Sequence, residues 1–407
     1  MLAMLTQSQK DLVKATVPVL REHGVALTSY FYNRMLTNNP DLKETFNLAH
    51  QRSGAQAQAL AGAVLAYAEN IEDPSVLAPV IELVAHKHVS LNIQAPDYNI
   101  VGENLLHSIS EVLKVPMEDE LIAAWAAAYG QLANVFIETE QKIYQEHEQT
   151  QGSWLGWRKF KIAKKVQESS EITSFYLIPS DGGKLPPHQA GQYISVRVTV
   201  PELGHKQPRQ YSLSDSSRAD HLRISVKRED AQGDKIGGWV SNTLHAMQEN
   251  DEIEVTAPTG NFFLFDSHKT NVLISGGVGL TPMIAMLNHL VSLDMPKPVH
   301  FIHACRGSQV HAMKQHLNDL KTQQPNLSLW TAYEHPQSSD VLGQDYHHAG
   351  RLNLAELPAE QLPVDADYYL CGPIPFMHEQ HKALVARGIK PEQIHSEAFG
   401  TGGVHFS

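Results

Sequence analysis

The sequence predicts a multidomain protein: an all-α domain, then an antiparallel β-barrel, then an α/β domain with a parallel sheet. Three observations carry this. The chain has 407 residues, more than one hydrophobic core organises. Apolar residues keep a helical period up to about Glu148 and then switch to strand-like alternation. From Asn271 onward short apolar runs alternate with helical segments, as a parallel sheet requires. The implied domains are residues 1–148, 154–265 and 268–407.

Composition narrows the class. Hydrophobic residues make up 42% and charged residues 19%, the balance of an ordinary folded protein. The net charge is −12 with no dense Lys/Arg run, so the cationic footprint a nucleic acid needs is missing. Two cysteines, Cys305 and Cys371, are too few for a disulfide framework and have no zinc spacing. Met1–Lys10 lacks a basic segment followed by an apolar run, and no stretch reaches the ~20 apolar residues of a membrane span. A soluble, cytoplasmic, monomeric protein is expected.

In the first domain Trp125, Tyr129, Leu132, Phe136 and Ile143 share one helix face. Breaks fall at Asn39-Pro40, Asp73-Pro74, Ala95-Pro96 and Val115-Pro116. Helical phase puts Ile81, Val84, Ala85, His88 and Leu91 on one face and turns His86 away. By itself His88 reads as a partly buried imidazole with a hydrogen-bond partner, and metal ligation stays open beside that. Glu140 falls on the apolar face of the last helix, while Glu138 turns to solvent. A buried carboxylate needs a donor, and a neutral imidazole N–H is a natural one. Metal-bound histidines use their second nitrogen in this way.

Leu27-Thr-Ser-Tyr-Phe-Tyr-Asn-Arg-Met35, Phe46-Asn47, His88 and Tyr98-Asn-Ile-Val-Gly102 together resemble the globin domain of flavohaemoglobins. The resemblance covers nearly the whole chain. It implies that His88 is the proximal iron ligand of haem b, that Tyr98 and Glu140 complete a hydrogen-bonded triad with it, and that Lys87 lies near the haem edge. It also implies that Tyr32, Gln56 and Leu60 surround a bound gas and that Phe46 packs on the porphyrin. Gln56, Leu60 and Val64 share a helix face by their spacing. Tyr32 alone would read as a core aromatic; the resemblance makes its hydroxyl a donor to the gas. A lipid in this distal pocket is compatible with the family.

Past the polar stretch Gln145 to Ser153, strands are expected at Ile194-Val196-Val198-Val200, Leu222-Ile224-Val226 and Ile253-Val255. A strand is also expected to carry Gly191-Gln-Tyr193. Arg209-Gln-Tyr-Ser212 follows it and precedes Val226-Lys-Arg-Glu229 and Gly237-Gly-Trp-Val-Ser-Asn242. In this order the motifs resemble the FAD-binding barrel of ferredoxin-reductase-like enzymes. The implied flavin site comprises Tyr193, Arg209, Gln210, Tyr211, Ser212, Gly238, Val240 and Ser241. Arg209 offers a planar donor fork to a pyrophosphate, Tyr211 can cover the isoalloxazine ring, and Ser212 can hydrogen-bond its edge. Backbone N–H groups from Gly238 to Ser241 are expected near phosphate oxygens.

In the last domain, strands are expected at Val272-Leu273-Ile274, Val299 to Ala304, Leu327 to Tyr333 and Tyr368 to Leu370. Val272-Leu-Ile-Ser-Gly-Gly-Val-Gly-Leu-Thr-Pro282 reads as strand, glycine turn and helix, with Pro282 in the first helical turn. It is not Gly-x-Gly-x-x-Gly; it resembles the nicotinamide-side turn of the same reductases. NAD(P)H is then expected at Gly277, Val278, Gly279, Leu280, Thr281 and Pro282. Cys371, Gly372 and Pro373 are expected to join them at the carboxyl end of the neighbouring strand. Cys371 alone could equally be a small buried thiol.

Glu397-Ala-Phe-Gly400 resembles the family's closing segment, with Phe399 on the flavin and Glu397 close to it, so Glu397, Ala398, Phe399, Gly400 and Thr401 join the expected cofactor residues. Ala398 stands where the family carries cysteine, and Thr401 where it carries proline. Altered rates, not lost function, are expected from these departures. The resemblance implies an enzyme, a nitric oxide dioxygenase passing electrons from NAD(P)H through FAD to haem and oxidising nitric oxide with O2 to nitrate. The rival enzyme is an NAD(P)H-driven reductase or oxidase for other acceptors, and the rival outside enzymes is an oxygen-binding or gas-sensing globin. The attached reductase argues against a passive carrier.

Overall fold

The computed structural model describes residues 5–233, 236–266 and 268–400. The chain divides into two compact units. One holds the chain up to Trp157 together with Ser195–Arg209; the other holds Arg158–Ile194 and the chain from Gln210 on.

Among the described residues the first unit is built on seven α-helices: α1 (Gln7–Ala15), α2 (Val17–Asn38), α3 (Leu48–Ser53), α4 (Ala55–Glu69), α5 (Ala78–Ser90), α6 (Asp97–Leu113) and α7 (Glu120–Gln149). Their ends follow the sequence signals. Thr6 and Gln9 form a capping box on α1, and Asp119 caps α7 by accepting from the Leu121 N–H. Helix α2 stops just before Asn39-Pro40, and Pro96 sits immediately ahead of α6. Between α3 and α4, Gly54 takes φ +74°, which lets one helix end and the next begin without a linker. Leu27, Phe31, Met35, Tyr67, Ile109 and Trp125 pack into the core. A separate cluster of Ala85, Val89 and Ile143, with Phe136 against it, ties α5 to α7. That contact brings the turn carrying His88 to the turn carrying Glu140.

The next six strands are β1 (Arg158–Gln167), β2 (Ile172–Pro179), β3 (Tyr193–Val200), β4 (His205–Ser212), β5 (Leu222–Lys227) and β6 (Glu252–Val255), with α8 (Trp239–Ala246) between the last two. They form one sheet in the order β4-β3-β6-β1-β2-β5. β1 pairs antiparallel with β2 and β6, and β2 with β5. Just past β4, Leu213 bridges to Ile224 of β5, and the sheet closes into a barrel. Alternate residues such as Phe160, Ile162, Phe175, Leu177, Leu222 and Ile224 fill the interior. β3 begins at Tyr193, so Gly191-Gln192 lie ahead of the strand. Gly191 has φ +115°, and a Cβ there would stand 2.7 Å from the Phe262 carbonyl oxygen.

The remaining elements are β7 (Thr270–Gly276), α9 (Leu280–Ser292), β8 (Val299–Cys305), α10 (Lys314–Gln323), β9 (Leu327–Tyr333), β10 (His348–Ala349), β11 (Ala366–Cys371), α11 (Ile374–Ala386) and β12 (Ile394–Glu397). The sheet runs β10-β9-β8-β7-β11-β12, every pair parallel. Leu273, Phe301 and Tyr369 pack with α9 and α10 on one face. Ile274, Ile302 and Leu370 pack on the other with Met377 and Leu384 of α11. The chain leaves β7 toward β8 on one side and returns as β11 on the other, which makes the gap between the ends of β7 and β11 a topological switch point. Among the described residues no helix is long and apolar enough to cross a membrane.

Candidate functional site

Helix phase and the α5–α7 contact deliver His88 to Glu140. The His88 Nδ1 lies 2.7 Å from Glu140 Oε1 and 3.0 Å from the Tyr98 hydroxyl, and Tyr98 donates to the same Glu140 oxygen at 2.5 Å. Burial first, then the Glu140 charge, pushes the Tyr98 phenol far above its ordinary range, so it keeps its proton. Two donors therefore converge on one carboxylate oxygen. With Tyr98 donating to Glu140, the Nδ1 proton of His88 is the other donor, which leaves the Nε2 lone pair free for a metal. The Glu140 side chain is 3% exposed but that of His88 is 31% exposed, so the imidazole presents an open edge. Tyr98 is held in turn by Tyr129, whose hydroxyl donates to the Tyr98 carbonyl at 2.5 Å. His86 faces elsewhere, beside His147, and burial lowers it to about 4.

On α2, Tyr32 is buried, its hydroxyl hydrogen-bonded to the Gln56 side chain. Burial raises this phenol far above its ordinary range as well. Gln56 is steadied by the Gln51 amide at 2.9 Å. The Phe46 ring lies edge-on to Tyr32 at 5.8 Å, and Leu60 and Val64 pack against the same core. Tyr32, Gln56 and Phe46 are thus brought together.

A cationic group adjoins this region that sequence reasoning only half found. Burial and then the Arg209 charge lower Lys87. His50 on α3 is lowered to about 4 by burial, Arg209 and Lys87 in turn, and its Nδ1 is buried without a partner among the described residues. Helix α3 has six residues and no periodic face, so nothing in the sequence marked His50. Two cations and a neutral imidazole converging in a partly buried place fit an anionic edge such as carboxylates or phosphates.

Of the expected flavin residues in the second unit, Tyr193 and Ser212 are buried and Gln210 and Tyr211 half-buried. Gly238 differs from expectation: its N–H already donates to the Glu229 carbonyl at 2.8 Å, and a Cβ there would meet Ser241 Oγ at 2.6 Å. Helix α8 begins at Trp239, and Val240 and Ser241 are buried in its first turn.

At the switch point Gly277 has φ +55° with open space where a Cβ would be, room for a ligand to approach the backbone. Gly279 packs against the end of β11, and a Cβ would stand 2.3 Å from the Cys371 carbonyl oxygen. Gly372 is also close: a Cβ there would stand 2.8 Å from the Phe376 ring and 3.1 Å from the Gly276 backbone nitrogen. The two strand ends thus meet backbone to backbone, with Val278 ahead of α9, Leu280, Thr281 and Pro282 in its first turn, and Pro373 leading into α11. The Cys371 thiol lies in the apolar core, pushed well above its ordinary value by burial, so it is the backbone of this residue that supports the turn.

Glu397 ends β12 with its Oε2 buried and without a partner among the described residues, while the carboxyl group hydrogen-bonds Ser212. Burial raises it to about 8. An orphaned carboxyl oxygen beside Ser212 is the kind of group a flavin edge would satisfy. Ala398 packs against the core, Phe399 is exposed, Gly400 takes φ +149°, and Thr401 lies outside the described residues.

Family models match in three successive segments: Globin over residues 29–136, Oxidoreductase FAD-binding domain over 159–264, and Oxidoreductase NAD-binding domain over 273–382. A flavohemoprotein of Bordetella parapertussis is 54% identical over 404 residues, covering 98% of this chain and 100% of the relative. One from Chromobacterium violaceum is 52% identical, covering 98% and 99%. The crystal structure of flavohemoglobin from Malassezia yamatoensis, with bound FAD and heme, superposes with a TM-score of 0.85 at 27% identity, covering 98% of this chain and 100% of that one. The FAD/NAD-binding domain of a nitric oxide dioxygenase from Vibrio cholerae is 39% identical over 60% of this chain and 98% of its own, with a TM-score of 0.55. A helical unit with an imidazole–carboxylate–phenol triad, a flavin-type barrel and a nucleotide-type sheet, matched end to end at this identity, place the chain in the flavohemoprotein family.

Proposed function

We propose that the chain is a nitric oxide dioxygenase, converting nitric oxide and O2 to nitrate with electrons drawn from NAD(P)H. The observation that carries this reading is the 2.7 Å contact of His88 with the buried Glu140, reinforced by Tyr98. A carboxylate partner makes an axial imidazole electron-rich, which favours oxygen chemistry at iron over simple reversible carriage. When bound, NAD(P)H, FAD and haem supply a hydride, its division into single electrons, and the oxygen chemistry.

The residues act by holding and positioning. His88 would present Nε2 to a haem iron, with Glu140 and Tyr98 fixing its tautomer. Tyr32 offers an O–H to the gas, oriented by Gln56, with Leu60 and Phe46 keeping that side apolar. Lys87, His50 and Arg209 meet anionic groups, and Arg209 also suits the flavin pyrophosphate. Tyr211, Ser212 and Phe399 hold the flavin ring, with Tyr193, Gln210 and the start of α8 around it. Glu397 holds a proton next to Ser212 at neutral pH, as its raised value requires. Gly277 and Gly279 let a dinucleotide approach the backbone, with the Cys371-Gly372-Pro373 turn beside them. The need for reduced pyridine nucleotide supports a cytoplasmic protein.

The test is one purified chain with both Soret and flavin bands. NADH-driven loss of nitric oxide that requires O2 and yields nitrate is the expected result. NADH consumption with no loss of nitric oxide would leave the reductase reading instead.

A further inference from the structure

We infer that Asp215 and Asn288 form a clamp that sets the distance between the flavin edge and the nucleotide turn, making both positioning residues for hydride transfer. This rests on the proposed electron route from NAD(P)H to flavin.

Asp215 lies three residues past Ser212, the last residue of β4, and is buried. On the barrel side the Ser216 N–H donates to its Oδ1 at 2.8 Å, and the Arg223 guanidinium stands 3.9 Å from Oδ2. Arg223 is itself fixed by donating to the Ser214 hydroxyl and carbonyl. The carboxylate is therefore anchored to the strand pair that carries Ser212. Its Oδ1 also accepts from the Asn288 amide at 2.7 Å, from a residue 73 positions away in α9. The carbonyl oxygen of that amide faces His316 Nε2 of α10 at 2.8 Å. One side-chain chain thus runs from the barrel through α9 to α10.

The helix it grips matters. α9 starts directly after Gly277–Gly279, the turn where a dinucleotide can approach the backbone. A helix is stiff along its axis, so holding Asn288 holds the turn. On the other side, β4 ends in Ser212, hydrogen-bonded to Glu397. A bond between Asp215 and Asn288 consequently fixes the two halves of a hydride-transfer site relative to each other. Charge-assisted hydrogen bonds are short and directional, and a misplacement of about 1 Å at a reacting pair can cost on the order of 100-fold in rate.

The experiment uses the full-length protein with haem and FAD bound, reduced anaerobically by NADH in a stopped-flow instrument. Variants are Asp215→Ala, Asn288→Ala, the double variant and the shape-conserving Asn288→Leu, which tests the same bond if Asp215→Ala does not fold. The limiting rate of flavin reduction should fall roughly 10- to 100-fold in each. The apparent NADH dissociation constant should move less than about threefold, and FAD and haem content should stay full. The double variant should be no slower than the worse single one, because both remove one interaction. Unchanged limiting rates, additive losses, or a change confined to the dissociation constant would each overturn the clamp while leaving the electron route intact. Failure of NADH to reduce the flavin of the unaltered protein would overturn the route and the clamp with it.

Discussion

Replacing Glu140 by Gln tests the proximal site most directly, because it removes a charge and almost no volume. The carboxylate sits 2.7 Å from His88 Nδ1 and accepts from Tyr98 at 2.5 Å, and an amide oxygen can still accept from both. What changes is the class of the bond. Hydrogen bonds to charged groups are worth about 1.5–3 kcal/mol and neutral ones about 0.5–1.5 kcal/mol, so the substitution forfeits on the order of 1–1.5 kcal/mol. The loss falls mainly on the oxidised iron, whose extra positive charge the carboxylate favours. A tenfold change, about 1.4 kcal/mol, corresponds to about 59 mV for a one-electron couple, so the haem midpoint potential should rise by about 40–65 mV.

The companion substitution Tyr98→Phe should move the potential the other way. It removes the competing donor and leaves Glu140 to His88 alone. Anaerobic spectroelectrochemical titration of the Soret band reads both. If Glu140→Gln retained full haem and its potential stayed put or fell, the carboxylate would not be setting the electron density of the imidazole, and the argument for oxygen chemistry from this triad would collapse.

Tyr32→Phe removes one O–H and keeps the ring, so O2 should leave the ferrous haem about 2- to 12-fold faster, the range that 0.5–1.5 kcal/mol implies; an unchanged dissociation rate by stopped flow would make Tyr32 only a core aromatic. Gly279→Ala drives a Cβ to 2.3 Å from the Cys371 carbonyl, a clash of backbone with no side chain to yield, and should cost about 1–3 kcal/mol and abolish rapid flavin reduction by NADH while sparing the Soret band. Glu397 has a folded value of about 8, above the ordinary 4.5, so the folded state keeps a proton that the unfolded chain has released. Its contribution to stability is complete below about 4.5 and is lost as pH rises through 8. In flavin-free protein, Glu397→Gln should therefore flatten the fall in melting temperature between about pH 5 and about pH 8.5, and parallel curves for the two proteins would contradict the assignment.

What could be read from the residues alone follows from which constraints act locally. Helical phase is a local rule, and it separated His88 from His86 and Glu140 from Glu138 before any contact was known; Glu138 is exposed and Glu140 buried. Phase says nothing about which faces meet, so Tyr98 joined the triad only through family resemblance, and its bond to Glu140 spans 42 residues. The strands show the same division. The strand Leu327–Tyr333 has the bounds expected from the sequence because its Leu, Trp, Ala and Tyr residues make a short, mainly apolar segment, which is a local signal. β1 offered little, since Phe160 and Ile162 are its only fully buried alternating pair and a register shift between Ile162 and Lys164 breaks the pattern. β12 is four half-buried residues whose strand character comes from pairing with β11. His50 on its six-residue helix and the Asp215–Asn288 bond are more extreme, being polar groups whose surroundings arrive from distant segments. Periodicity constrains residues that share an element, whereas a site is made where elements converge. Motifs such as Gly276–Gly279 bridge that gap only because the backbone geometry itself is the functional part: what Gly279 needs is the absence of a Cβ, and a glycine in the sequence already states that.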